Sequence, residues 1–360
     1  MSRVYNFAAG PAMMPEEALE RAAAEMLSYK GTGMSVMEMS HRSSAYQEIF
    51  DRTVRLLREL MGIPDEYEVL LLQGGATGQF AAVPMNLLKT GADYVDSGNF
   101  AHGAFVEAQK YGNARVIASS REESYARVPD VDAGAIDPDA DYVYITTNNT
   151  IYGTEYQYDP ETPAGVPLVA DMSSNILSKP VDVSKYGVIY AGAQKNMGPA
   201  GVTVVIVRED LLGSYPLEKY PVMLDWQTMA NKGSMYNTPP AYGIYICGKV
   251  FQWLLSMGGL EAIRERNVAK AKVLYDFLDA SQLFHGTVVK KDRSLMNVPF
   301  VTGNAELDAK FVKAAEAAGF VSLKGHRTVG GMRASIYNAM PIEGVVKLTQ
   351  FMEKFEKENG

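Results

Sequence analysis

Short apolar runs alternate, through the middle of this chain, with stretches whose apolar positions recur every three or four residues. Glu68-Val69-Leu70-Leu71-Leu72 ends at Gln73-Gly74-Gly75, and helical spacing follows from Ala76 to Leu88. Tyr94-Val95-Asp96 ends at Ser97-Gly98-Asn99, and a second helical stretch runs to Tyr111. Further runs at Arg115–Ala118, Tyr142–Thr147, Leu168–Asp171, Val188–Ala191 and Val202–Val207 predict strands. Continuous apolar runs belong to strands buried on both faces, so the pattern predicts an α/β fold with a mainly parallel sheet covered by helices. From about Leu260 the texture changes. A charged helical pattern, Glu261 to Leu278, precedes strands predicted at Asn297–Val301 and Gly331–Ile336, which reads as a smaller α+β unit. The opening segment is expected to pack with it, giving a large domain over 16–261 and a small domain from 1–15 with 262–360.

Composition narrows the function. Of 360 residues, 47% are apolar and 21% charged, the balance of a globular chain rather than a disordered one. Acidic residues outnumber basic ones by 42 to 34, a net charge of −8. A nucleic-acid or anionic-membrane binder carries the opposite sign, so neither partner is expected. The single cysteine, Cys247, cannot close an internal disulfide, and the four scattered histidines give no zinc spacing, so no metal is expected. The N-terminus lacks an apolar signal core, and no run approaches the roughly 18 apolar residues of a membrane span. A cytoplasmic enzyme is the expectation.

Three features carry chemistry. Asp171 ends one predicted strand, and Lys195 stands just past the end of the next. The carboxyl ends of parallel strands face a common crevice. There a lysine amine could condense with an aldehyde while a carboxylate keeps a pyridine nitrogen protonated, the pairing that makes pyridoxal phosphate an electron sink. On spacing alone, a surface lysine and a loop-capping aspartate fit as well. The glycine-rich turn Gln73-Gly74-Gly75-Ala76-Thr77-Gly78 joins a strand to a helix and would aim backbone amides at a phosphate. Phe100 offers a ring for stacking or for the core. Finally, two of the four histidines precede arginine, His41-Arg42 and His326-Arg327, and Arg333 follows two glycines. Arginine forks suit carboxylate and phosphate oxygens, and scattered surface arginines are the plainer alternative. By contrast, Gly243 to Lys249 has the spacing of a phosphate-binding P-loop, but its interior is aliphatic and Val250 replaces the required hydroxyl.

Together these motifs resemble the phosphoserine aminotransferase family of class V pyridoxal-phosphate enzymes. The likeness runs from Asn6-Phe7-Ala8-Ala9-Gly10-Pro11 to Gly330-Gly331-Met332-Arg333, and its most specific pieces are Met39-Ser40-His41-Arg42, Ala193-Gln194-Lys195-Asn196 and Gly325-His326-Arg327. The resemblance implies the type I fold of pyridoxal-phosphate transferases and reversible amino transfer between glutamate and 3-phosphohydroxypyruvate, yielding phosphoserine and 2-oxoglutarate. It extends to formation of 4-phosphohydroxythreonine in vitamin B6 synthesis. By position it makes Lys195 the covalent anchor, Asp171 the pyridinium partner, and Gln194 and Thr150 cofactor contacts, Thr150 at the phenolic oxygen. Ala76 and Thr77 match the phosphate turn, and Asn237 and Thr238 a pair reaching the cofactor phosphate of the other subunit in an obligate homodimer. His41, Arg42, His326 and Arg327 match the pocket for the substrate's distal anion, and Arg333 the α-carboxylate anchor. Two departures stand out: many members have tryptophan at Phe100, and some have arginine at Thr77. A cysteine desulfurase or another class V transaminase would share the fold, but a desulfurase needs a mobile reactive thiol, whereas Cys247 sits in an apolar run. A catalytically idle assembly protein would not need Lys195 and Asp171 intact.

Overall fold

The computed structural model describes residues 3–214 and 220–360; residues 1 and 2 of the expected small domain lie outside the described residues. A seven-stranded sheet forms its centre. In chain order the strands are β1 (Tyr67–Leu72), β2 (Ala92–Asp96), β3 (Ala114–Ser119), β4 (Tyr142–Thr146), β5 (Leu168–Asp171), β6 (Val188–Gly192) and β7 (Thr203–Arg208). In space they run β1-β7-β6-β5-β4-β2-β3. The pairs from β6 across to β3 are parallel, while β7 is antiparallel to both β6 and β1. That reversal has a covalent cause. Residues 193–202 alone link β6 to β7, fewer than the roughly dozen residues that a parallel crossover takes.

Alternate residues of each strand feed two cores. Val69, Leu71, Ile145, Ala170 and Ala191 face α1 (Glu16–Ala24), α2 (Ser44–Met61) and α5 (Ala241–Ser256). Leu70, Leu72, Tyr144, Val169 and Tyr190 face α3 (Gly75–Leu87) and α4 (Asn99–Ala108). Both strand faces are therefore dry, as the uninterrupted apolar runs require. The stretch from Gly243 to Lys249 lies inside α5, which removes any P-loop reading.

A third core lies beyond α6 (Gly259–Ala280). There β8 (His285–Gly286), β9 (Asn297–Val301) and β10 (Met332–Ser335) form an antiparallel sheet, with α7 (Ala305–Ala317) and α8 (Ile342–Asn359) against it. Its centre is aromatic: Phe284 and Phe311 meet edge to face with centroids 5.0 Å apart. The opening segment packs on this body through Tyr5–Asn6, which pairs in parallel with Phe320–Val321, and through the buried Phe7.

The two bodies meet tightly at Gly153, in the turn of the hairpin Asn148–Asn149/Thr154–Glu155. Its φ is +74°, and a Cβ there would lie 2.2 Å from Pro299 Cδ and 2.7 Å from the Asn297 carbonyl oxygen. Gly153→Ala should therefore lower unfolding free energy in urea by about 2–4 kcal/mol, the sum of backbone strain and overpacking. Gly165→Ala is the control, since Gly165 has a φ of +88° but open space around it. Equal losses in the two variants would show that the contact with Pro299 contributes nothing.

Candidate active site

The carboxyl ends of β1, β2, β4, β5 and β6 open onto a cavity of about 280 Å³. Its wall includes Ala76, Thr77, Phe100, Thr150, Asp171, Gln194, Lys195, His326 and Arg333. Nine of the residues singled out in the sequence thus share one cleft.

Lys195 is fixed by the short loop that turns β6 back into β7. Ala193 N–H donates to the Val202 carbonyl at 2.9 Å, and Gly198 N–H closes the turn on the Ala193 carbonyl at 2.8 Å. Asn196 anchors the other side, donating to the Ile176 carbonyl and accepting from Asn338 N–H, both at 3.0 Å. The small residues around Lys195 serve packing as much as ligand access. A Cβ on Gly198 would lie 2.8 Å from Cys247 Sγ, so this glycine lets the loop rest on α5. The Lys195 amine donates to Thr150 Oγ1 at 2.8 Å and lies 5.8 Å from the centre of the Phe100 ring. Phe100 is 41% exposed, so it belongs to the cleft and not to the core.

Electrostatics set the amine apart. Burial, with help from the Arg333 guanidinium and against the pull of Asp171, brings Lys195 down from the ordinary 10.5 to about 8. The same burial pushes the Asp171 carboxyl up, opposed by Ser173, Lys195 and Tyr190. Asp171 Oδ1 also accepts Ser173 N–H at 2.8 Å, so the loop-capping role and the cleft role coexist in one side chain.

At the opposite wall, Gly74 and Gly75 take φ of +98° and +67°, which makes the turn into α3 a glycine turn. No side chain caps this helix, leaving its first amides, at Gly75, Ala76 and Thr77, for an anion. Arg333 completes the cleft. Its Nη1 donates to the Thr150 carbonyl at 3.2 Å, while its buried Nε has no partner among the described residues. An unpaired donor in a buried guanidinium calls for an anionic ligand. His326 Nδ1 accepts Thr328 N–H at 3.3 Å, so the neutral ring carries its proton on Nε2, and burial beside Arg333 and Arg327 holds it below the ordinary 6.5.

Five expected residues do not line the cavity of the single chain: His41, Arg42, Arg327, Asn237 and Thr238. Arg327 is exposed beside His326, and His41 and Arg42 precede α2. Asn237 Nδ2 donates to Gln73 Oε1 at 3.4 Å, and Gln73 Nε2 to the Thr238 carbonyl at 3.1 Å, on the far side of the glycine turn. Conversely, Ala9, Gly10, Thr146, Asn148, Ser173 and Ser174 line the cavity without having been singled out. The two serines follow Asp171 after a single residue, Met172, and were reachable from the rule that named it. Cys247 is 1% exposed inside α5, and burial pushes its thiol up to about 12, so it offers no thiolate.

The amine must lose its proton to attack an aldehyde. Capture of pyridoxal phosphate by cofactor-free protein, followed by absorbance, should thus accelerate as pH rises through about 8 and level off above it. Arg333→Met removes a repelling charge and should move the inflection upward. An inflection near 10.5 in the unsubstituted protein would show that the cleft does not desolvate Lys195.

Comparison with known proteins agrees with this geometry. The aminotransferase class-V family pattern matches residues 4–348. The phosphoserine aminotransferase of Nitrosomonas europaea is 56% identical over 99% of both chains. The solved phosphoserine aminotransferase of Bacillus circulans subsp. alkalophilus superposes with a TM-score of 0.96 at 47% identity, over 99% of both chains. The pyridoxal-phosphate-bound phosphoserine aminotransferase of Trichomonas vaginalis superposes with a TM-score of 0.92 at 38% identity, over 98% of this chain and 100% of that one. The chain belongs to the class-V aminotransferases, within the phosphoserine aminotransferase family.

Proposed function

We propose that this chain is a pyridoxal-phosphate-dependent transaminase that moves an amino group reversibly between glutamate and 3-phosphohydroxypyruvate, giving phosphoserine and 2-oxoglutarate for serine synthesis. The carrying observation is a desolvated Lys195 amine in the same cleft as Asp171, the free amides of α3 and the unpaired Arg333 Nε. These groups fit the cofactor: an amine for its aldehyde, a carboxylate for its ring nitrogen, Thr150 for its phenolic oxygen, amides for its phosphate and Phe100 for its face. When bound, pyridoxal phosphate supplies the aldehyde that takes up the amino group and the ring that accepts an electron pair.

The chain's own residues do the rest. Lys195 Nζ would carry the proton away from the substrate α-carbon; an amine titrating near 8 both accepts and returns a proton near neutral pH. Arg333 holds the α-carboxylate and fixes which α-bond faces that amine. His326, neutral and donating from Nε2, joins Arg327, His41 and Arg42 in a pocket for the distal anion. Carboxylate and phosphate are both oxyanions, so one pocket serves both half-reactions and admits a phosphorylated hydroxy-oxobutanoate as a further acceptor.

The active unit in this reading is a cytoplasmic homodimer, with Asn237 and Thr238 of each chain reaching the other's cofactor phosphate. Its two bodies correspond to residues 16–261 and to 1–15 with 262–360. No helix among the described residues is long and apolar enough to cross a membrane.

A coupled assay with glutamate and a panel of phosphorylated and unphosphorylated oxo acids tests the proposal. Initial-rate plots should be parallel, as a modified-enzyme mechanism requires, and Lys195→Ala should abolish exchange. Preference for an unphosphorylated acceptor would overturn the substrate assignment. Arg42→Ala and Arg327→Ala should each lower kcat/KM for the phosphorylated acceptor about 10- to 150-fold, the loss of one charge-assisted contact, with the yellow cofactor still bound. Colourless protein from both variants would place these arginines in cofactor binding instead.

A further inference from the structure

Two tyrosines lie behind Asp171, away from the cavity. Register sets Tyr190 of β6 directly beside Asp171 of β5, and Tyr144 of β4 beside Val169, two residues earlier on the same face. Both tyrosines are 0% exposed, and their hydroxyls are 2.5 Å apart. Tyr190 is also among the groups that hold the Asp171 carboxyl down against its burial. A phenol has one proton to give. If Tyr190 gives its own to Asp171, the proton in the short contact must come from Tyr144, so the donors run Tyr144 to Tyr190 to Asp171. Burial pushes both phenols well above the ordinary 10, so the chain stays neutral at working pH and acts through its dipoles.

Ser173 holds one side of the carboxylate, its N–H donating to Oδ1 at 2.8 Å. Lys195 is the cation that faces it, and α3, which packs over this face, carries no charged side chain. On α4, His102 is engaged with Asp96, and Glu107 with Lys110 and Tyr111.

We propose that Tyr190, backed by Tyr144, is a positioning residue that keeps Asp171 ionised and aimed, so that the carboxylate can hold a proton on the cofactor's ring nitrogen. This rests on the reading of Asp171 as the partner of that nitrogen.

Tyr190→Phe and Tyr144→Phe keep the rings and remove the hydroxyls. Affinity is read by titrating cofactor-free protein with pyridoxal phosphate and following tryptophan fluorescence. Tyr190→Phe should weaken binding about five- to tenfold, less than the full worth of one hydrogen bond to a charged group because the effect reaches the cofactor only through Asp171. Tyr144→Phe should weaken it less, and the double variant no more than Tyr190→Phe, because Tyr144 acts only through Tyr190. In loaded protein, the pH midpoint of the visible band should move up by about half a unit in Tyr190→Phe, since a less cationic ring lets the Lys195 nitrogen keep its proton longer. An analogue with the same aldehyde, hydroxyl and phosphate but no ring nitrogen should bind the parent and Tyr190→Phe equally. Unchanged affinity and midpoint in Tyr190→Phe, or an equal loss with the analogue, overturns the proposal. Asp171→Asn separates the two readings. If it weakens pyridoxal phosphate while Tyr190→Phe does not, the tyrosine role alone fails. If it too has no effect, the reading of Asp171 fails as well.

Discussion

Desolvation at the carboxyl ends of β5 and β6 is the constraint on which the rest of this structure depends. One enclosure pushes the Asp171 carboxyl up and pulls the Lys195 amine down, and each is among the groups that oppose the other's shift. An unpaired buried charge costs several kcal/mol. The surroundings of each group offset that cost: a backbone N–H and a tyrosine for the carboxylate, a threonine hydroxyl and an aromatic ring for the amine. The compensation is incomplete for Lys195, and that shortfall brings its amine down to about 8 rather than leaving it a solvated ammonium.

The same demand explains the one reversed strand beside the site. A parallel crossover after β6 would have carried the chain away along a helix. The direct return through residues 193–202 instead pins Lys195 over the crevice from both sides, by Val202 and by Asn196. Asn196 also accepts from Asn338, so the small body holds the loop that carries the reactive amine. A buried polar network extends this link. Asn148 donates to Ser174 at 2.7 Å and to Asn297 at 2.9 Å, Asn297 donates to Tyr337 at 3.1 Å, and Tyr337 reaches the Ala9 carbonyl at 2.8 Å. Every side chain in it is buried, so the members hold one another in a single arrangement.

What could be read in the sequence follows from how local each signal is. The central strands showed as apolar runs because both faces are dry. Asp171, Lys195 and the Gly74-Gly75 turn showed because strand ends and helix starts are written in neighbouring residues. The hairpin that carries Thr150 lies past the strand predicted at Tyr142–Thr147 and left no signal of its own, since Asn148–Asn149 and Thr154–Glu155 are two-residue strands with no apolar pattern. Ser174, Asn148 and Asn297 meet across the fold, and no spacing along the chain announces such a contact. Tyr190 and Tyr144 looked like any buried aromatics of a β-run; their hydroxyls acquire a role only once register sets one beside Asp171. The His-Arg pairs were legible as chemistry but not as geometry, since of their four residues His326 alone lines the cavity of one chain.

A chain with net charge −8 must concentrate positive potential locally if it is to draw in doubly anionic substrates. The cleft carries the Arg333 guanidinium and leaves imidazole out of the charge balance, because burial, with Arg333 and Arg327 beside it, holds His326 below its ordinary titration range. In the proposed pocket, attraction for the distal anion therefore does not depend on protonating histidine near pH 7. The histidine contributes a directed donor, while arginine supplies charge at any physiological pH. Thr77 in place of an arginine fits this division: it sits at the start of α3, where the backbone amides and the helix dipole already favour a phosphate. Charge near that turn is then less needed than charge at the opposite wall, where Arg333 Nε has no partner among the described residues.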